Sequence, residues 1–323
     1  MAKELAKERF AKLAAQLEIP VLMAPMFLVS GPELVLEGCK AGVIGAFPLA
    51  NARTLEDLER WMDRIVKELA AAREQNPDKR IGPWAVNLAV HRTNARLEEE
   101  KALIRKYQPP IVVTSLGSPD VVAGLVHEYG GLVFADVVNL KFAKKAAERG
   151  ADGLILVCAG AGGHGGLLNP FAFMRAVREF WDGITILAGC ISGGRDIAAA
   201  RMLGADLVSM GTRFIAARES LASEDYRNML IESTAEDILY TDVFSGVPGN
   251  YLIPSIRKAG LDPDRLPDKE SFNWSRNHEQ GPKPWKNIWS AGQGVGAIKR
   301  VQPVAELIEE LKREYRSLQP PAV

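Results

Sequence analysis

The chain has 323 residues, with 40 basic and 40 acidic side chains and therefore no net formal charge. With that balance nothing in the composition points to a nucleic-acid or anionic-membrane partner. The three cysteines, Cys39, Cys158 and Cys190, are odd in number and widely spaced, which argues against a disulfide framework and fits a reducing cytosol.

The opening stretch, MAKELAKERFAKLAAQLEIP, alternates charge with alanine and leucine. It reads as an amphipathic helix, because no continuous apolar region follows its lysines as a secretory leader requires. No apolar run approaches membrane-spanning length, so the expectation is a soluble, cytoplasmic protein. Short apolar runs then recur along the chain: VLMAPM (21–26), VIGAFP (43–48), WAVNLAV (84–90), IVVTSL (111–116), LVFADV (132–137), GLILVCAG (153–160), ITILAGC (184–190) and LVSMGT (207–212). Each is too short for a buried helix. Most are rich in Val, Ile and Leu without alternation, as parallel strands covered on both faces should be.

Helical patterns such as TLEDLERWMDRIVKELAAAREQ and DVVAGLVHEYG lie between these runs. The joints also repeat: KKAAERGADGLILV and AAARMLGADLVSMG share helix, then Gly-Ala-Asp, then strand. The glycine suits a left-handed helix C-cap. Eight strands alternating with helices predict an α/β fold of the (β/α)₈ barrel type, the TIM barrel. A doubly wound open sheet is the alternative, and it would more often carry a glycine fingerprint after its first strand. Here that strand ends in Ala24-Pro25-Met26, and the glycines follow strands six to eight. The barrel is expected over 1–220 and 301–323. Residues 221–300 are expected to form an excursion packed over one end of it, not an independent domain. The closing helix VAELIEELKREYRSL places Val304, Leu307, Ile308 and Leu311 on one face.

In such a barrel the site lies at the C-terminal ends of the strands. The stretch CAGAGGHGG (158–166) follows strand six and sets His164, one of only four histidines, among glycines on a short loop at the mouth. Asn169-Pro170 then opens the next helix as N-cap and first turn. A histidine there can give or take a proton near neutral pH, and the glycines let a flat ligand approach closely. An incidental surface histidine in a glycine turn is the alternative. His127 reads as part of a solvated helix face, His91 follows strand three, and His278 falls in the excursion. Two more glycine loops, GCISGGR (189–195) and MGTRF (210–214), follow strands seven and eight, where barrels often bind phosphate. Together they predict a phosphorylated ligand lying across the mouth toward His164. No His/Cys/Asp cluster has metal-ligand spacing, and no G-x-S-x-G elbow follows a strand.

These motifs, with SAGQG late in the chain, resemble the nitronate monooxygenase family, formerly called 2-nitropropane dioxygenases. FMN-dependent enoyl-ACP reductases of the second type and some NADH:quinone reductases share the barrel and the Ala-Gly-Gly-His element. The resemblance implies noncovalent FMN, with its phosphate on the backbone of Gly193–Gly194 and Gly211–Thr212. It implies flavin-edge contacts at Pro25, Met26 and the amide of Asn87, with Gln293 near the ring. Ala24, Ala161, Gly162, Gly163, Gly189 and Ser192 carry over as cofactor contacts from the same motifs. Where several family members carry a basic residue at the end of strand five, this chain has Asp136. It is expected near the flavin, where its charge state would shape the flavin's redox behaviour. Met26, Phe27 and the Trp-containing excursion are expected pocket walls. The implied reaction is oxidation of alkyl nitronates by FMN and O₂ to a carbonyl compound and nitrite, with His164 as donor to the nitro group or, for a neutral nitroalkane, as base. The alternatives are an NAD(P)H-dependent flavin reductase of quinones or enoyl thioesters, and a non-catalytic barrel that senses a phosphorylated metabolite. A homodimer is only the generic expectation.

Overall fold

The computed structural model describes residues 2–266 and 286–318; His278 lies outside them. The eight expected strands are β1 (Val21–Met23), β2 (Gly45–Pro48), β3 (Trp84–Ala89), β4 (Ile111–Ser115), β5 (Leu132–Val137), β6 (Gly153–Val157), β8 (Ile184–Ala188) and β9 (Leu207–Met210). They form one parallel sheet in the order β1-β9-β8-β6-β5-β4-β3-β2. A parallel bridge between Leu22 and Ile44 joins its two ends, so the sheet closes into a (β/α)₈ barrel.

Burial explains the unbroken apolar runs. Along β3 and β4, Val86, Leu88 and Val112 pack outward against helices, with Leu58 and Ile65 of α3 (Leu55–Gln75) and Ile104 of α4 (Leu97–Tyr107). The alternate residues, Ala85, Val113, Phe134, Ile155 and Ile186 among them, pack together inside the barrel. Ala6 of α1 (Ala2–Ala14) and the nearby Leu17 join that inner cluster, and Lys3 pairs with Asp182 just before β8. The first helix therefore plugs the N-terminal end of the barrel, away from the mouth.

The repeated Gly-Ala-Asp joint has a physical reading. Gly150 and Gly204 end α6 (Leu140–Glu148) and α8 (Gly194–Met202) at φ 89° and 101°, which only glycine adopts at no steric cost. Asp152 Oδ2 then accepts from Val133 N at 2.8 Å, and Asp206 Oδ2 accepts from Thr185 N at 2.8 Å. Each aspartate thus stitches its own strand to the neighbouring one. His127, expected on a solvated face, instead lies 2.8 Å from Asp152 through Nε2 and is held above the ordinary histidine pKa by that bond. It belongs to the stitch. On α12 (Val304–Ser317) the expected face, Val304, Leu307, Ile308 and Leu311, is buried against the barrel.

After β9 the chain forms α9 (Thr212–Ile215), α10 (Glu224–Glu232), the hairpin β10 (Ile238–Thr241) and β11 (Gly249–Leu252), and α11 (Ile253–Lys258). The hairpin does more than pack over the barrel. β11 pairs antiparallel with a two-residue strand, β7 (Gly163–His164), and makes a three-stranded sheet at the mouth. Among the described residues no helix is long and apolar enough to cross a membrane.

Candidate active site

The C-terminal ends of the strands surround a cavity of about 730 Å³, within the range that holds a drug-sized ligand. Its walls include Met26, Phe27, Val29, Ile215, Tyr226 and Val247, and its polar lining includes Asn87, Ser115, Asp136, Lys145, Arg149, His164, Ser192 and Thr212. The expected walls Met26 and Phe27 are present, and the excursion supplies Tyr226, on which Trp289 stacks at 4.9 Å. The loop after β1 is pinned from beneath by buried Asn51. Its Nδ2 donates to the carbonyls of Met26 and Ser30 at 2.9 and 2.7 Å, and its Oδ1 accepts from Leu28 N at 2.9 Å. Leu28, Leu116 and Cys190 sit at φ 60°, 59° and 57° in the loops after β1, β4 and β8. Left-handed backbone at three non-glycine residues stores about 1–3 kcal/mol each and marks a site over-determined by its surroundings.

His164 does not sit on an open glycine loop. It belongs to β7, opposite Gly249, and the glycines around it are clamped by the excursion. Asn250 Nδ2 donates to the Ala161 carbonyl at 2.6 Å, Gly163 N donates to Ser290 Oγ at 2.7 Å, and Tyr240 OH donates to the Gly165 carbonyl at 2.9 Å. The His164 Nε2 lies 3.0 Å from Ser245 Oγ. Burial of the ring depresses its pKa to about 4, so the imidazole is neutral at physiological pH. Asn87, at the end of β3, lines the cavity and spends its Nδ2 protons on the Val113 carbonyl and Ser115 Oγ, at 3.2 and 3.1 Å.

The residues present fit a phosphate at one corner of this cavity. The backbone amides of Cys190, Ile191, Gly211 and Thr212 have no acceptor among the described residues, and all four residues line the cavity. Unpaired amides in adjacent loops favour a bound anion. Gly211 leaves room that a Cβ would fill, 3.4 Å from Ala24 Cβ and 3.5 Å from Met26 Sδ. Gly193 and Gly194, expected to carry the phosphate, do not line this cavity, and their amides are taken. Asp196 Oδ2 accepts from Ser192 N and Gly193 N at 2.8 and 2.9 Å, and Glu314 Oε2 of α12 accepts from Gly194 N at 2.7 Å. A Cβ on Gly194 would meet Tyr315 N at 2.4 Å, so that glycine lets α8 and α12 touch. Cys190 and Ile191, at the front of the loop beside Gly189, line the cavity instead. Gln293 is likewise absent from the wall: it is exposed, its Oε1 lies 4.0 Å from Cys190 Sγ, and its flanking Gly292 and Gly294 face the cavity instead. Ser192 borders the cavity while its Oγ donates to the Gly294 carbonyl at 3.0 Å.

Asp136 opens onto the cavity and is otherwise enclosed by protein, with no hydrogen-bond partner among the described residues. Burial pushes its carboxyl up to about 7, so neutral acid and carboxylate interchange near physiological pH. Between the ordinary carboxylate value and about 7, the folded protein keeps a proton that the unfolded chain has lost, so stability falls as pH rises through that window. Asp136→Asn removes the effect, and the ligand-free variant should exceed the wild-type Tm at about pH 8 by more than at about pH 5. Calorimetry showing the same difference at both pH values would refute the assignment. The thiol of Cys190 is pushed above its ordinary value by burial and by the Asp196 carboxylate, so it is no thiolate nucleophile.

A sequence profile of the family described as nitronate monooxygenase matches residues 8–314. The chain belongs to the nitronate monooxygenase family. It is accordingly an oxidoreductase. A nitronate monooxygenase of Paraburkholderia phytofirmans is 26% identical, covering 92% of this chain and 92% of the relative. Among solved structures, nitroalkane oxidase of Streptomyces ansochromogenes superposes with a TM-score of 0.76 at 21% identity, over 96% of this chain and 98% of that one. FabK of Thermotoga maritima superposes with a TM-score of 0.74 at 24% identity, over 96% of each chain. At that identity both show the fold, a TIM barrel. In this nitronate monooxygenase family member the residues that sequence reading missed are Asn51, Ser245, Asn250 and Ser290. All are buried or partly buried polar side chains whose partners are far along the chain, and a single sequence carries no signal for such pairing.

Proposed function

We propose that this protein oxidises alkyl nitronates, and neutral nitroalkanes through their nitronates, with FMN and O₂, giving a carbonyl compound and nitrite. The observation that carries this reading is a histidine, neutral through burial, on the wall of a mostly apolar cavity that also presents backbone amides with no acceptor among the described residues. Gly211, Thr212, Cys190 and Ile191 would hold the FMN phosphate; Ala24, Pro25, Met26, Ala161, Gly162, Gly163, Gly189, Asn87 and Asp136 would border the rest. FMN, when bound, supplies the electron transfer. The chain's own work is orientation and proton placement.

The two expected roles of His164 converge on one state, a bound nitronate beside an imidazolium. A neutral nitroalkane reaches it by giving its α-proton to the ring. A nitronate reaches it when the ring takes a proton from water, because the anion raises the pKa that burial had lowered. The two substrates therefore differ in pH dependence. Nitroalkane kcat/KM needs only the neutral ring and should be flat above the free-enzyme pKa of about 4. Nitronate kcat/KM, expressed per anion, should fall with rising pH above that value, by up to about tenfold per unit, because binding takes up a proton. A flat nitronate profile from about pH 5 to 8 would sink the ion-pair reading. The three free cysteines fit a reducing compartment, which we take to be the cytosol.

A further inference from the structure

The cavity does not stop at the strand ends. Across the mouth from the four amides it continues into a lobe bordered by Gly117 and Pro119 after β4, Val138 after β5, and one side of α6. In the closed ring of eight strands β4 stands four places from β9, so the lobe lies across the barrel from the corner that fits a phosphate. Phe142, Lys145 and Ala146 of α6, with its C-cap Arg149, form the helical side. Their spacing of i, i+3, i+4 and i+7 puts them on a single helix face, about 10 Å long at a rise of about 1.5 Å per residue.

That face is ordered, apolar first and cationic after. Phe142 comes first, with half of its surface open, and buried Ala146 makes the floor one turn on. Lys145 and Arg149 follow, both exposed. Lys145 has no carboxylate partner among the described residues, whereas Lys144, on another face, lies over the Phe180 ring at 5.3 Å. Arg149 Nη1 lies 3.1 Å from Asp120 Oδ2 at the start of α5 (Asp120–Glu128). Both of those side chains are half exposed, so the pair is weak, and the guanidinium keeps other hydrogens to give. Asp136 is the only carboxylate on the described cavity wall, and it sits at the end of β5, ahead of the helix.

We propose that this lobe is a second subsite of the active site and holds the far end of an elongated substrate: an apolar chain along Phe142 and Ala146 that ends in a carboxylate or phosphate between Lys145 and Arg149. This rests on the reading of the cavity as the place where a flavin oxidises nitronates, and it specifies which nitronates. An ammonium supplies a point charge and a guanidinium a planar fork, and together they suit either terminus. A chain too short to leave the strand ends gains nothing from the lobe. Each methylene that reaches the apolar part of it should improve affinity by about threefold, until the terminus meets the cations.

The test reads binding and turnover separately on the flavin-loaded full chain. Binding is measured by calorimetry with octanoate, octyl phosphate and octanol, none of which carries a nitro group. Both anions should bind more tightly than octanol, and the advantage should shrink as salt is raised, because the cations are exposed. Lys145→Ala should weaken anion binding by roughly fivefold, and Lys145→Glu should weaken it further. Lys144→Ala is the control and should change neither. A preference for one of the two anions supports the subsite and tells which terminus it takes. Turnover is then compared for the ω-nitronates of propionate, hexanoate and octanoate against uncharged nitronates of the same lengths. The advantage of the acids should grow with chain length and fall in Lys145→Ala. Equal affinity for the anions and octanol in the wild type, or anion affinity that Lys145→Glu leaves untouched, overturns the proposal. If a variant does not fold, the wild-type comparison still decides it. Charge-dependent binding of octanoate without turnover of any nitronate rejects the reaction while the subsite stands. Turnover of short nitronates without charge-dependent binding rejects the subsite while the reaction stands.

Discussion

Replacing His164 with alanine is expected to lower kcat/KM for neutral nitroalkanes by about two to four orders of magnitude, the range a positioned general base contributes. The loss should be chemical and not structural. The loop around the ring is held by other groups: Asn250 on the Ala161 carbonyl, Ser290 on the Gly163 amide and Tyr240 on the Gly165 carbonyl. None of these bonds passes through the imidazole, so the variant should bind FMN and melt close to the wild type. Preformed nitronate needs no α-proton removed, so its turnover should fall less. Steady-state rates on both substrates, with flavin content measured alongside, check this. Unimpaired nitroalkane turnover would remove His164 from the role of base.

The second large effect concerns the cradle. A Cβ on Gly162 would stand 2.8 Å from Gly292 N, 3.0 Å from Ala291 C and 3.2 Å from Thr212 Oγ1. Two of these are backbone atoms that cannot rotate away. Gly162→Ala must push the returning segment off Thr212, where Gly292 N now donates to Oγ1 at 2.9 Å. Overpacking of this kind costs about 1–3 kcal/mol, which as lost affinity is roughly fivefold to a hundredfold in Kd for FMN. Titration of flavin fluorescence with apoprotein measures it. Gly296→Ala is the control, because a Cβ there meets nothing within 4 Å and the backbone needs no positive φ. Equal affinity in the two variants would show that the Gly162–Gly292 contact does not shape the cofactor site.

Much of the barrel is legible because its signals are local. An unbroken run such as ITILA is buried at every position in β8, and Gly-Ala-Asp repeats because the same helix end and strand stitch recur. The cap at Asn169 is equally local: its side chain accepts from Phe171 N at 3.0 Å, with Pro170 in the first turn. The place of Asp136 at the cavity also follows from its position at the end of β5. What could not be read depends on distant partners. Glycine reports that something comes close to the backbone, not what. At Gly194 the neighbours are Glu314 and Tyr315 of the last helix. His164 looked isolated because the strand that pairs with it is four residues long and lies in a stretch with no readable period. His127 looked solvated because its partner, Asp152, sits in the next joint.

The most direct test of nitronate oxidation is anaerobic stopped-flow absorbance of the flavin-loaded protein, mixed separately with a nitronate such as propionate 3-nitronate and with NADH or NADPH. Nitronate should reduce the flavin, NADH and NADPH should not, and nitrite should form once air is admitted. Rapid bleaching by NADH or NADPH with no response to nitronate would contradict it and make the barrel a flavin reductase of quinone or enoyl acceptors.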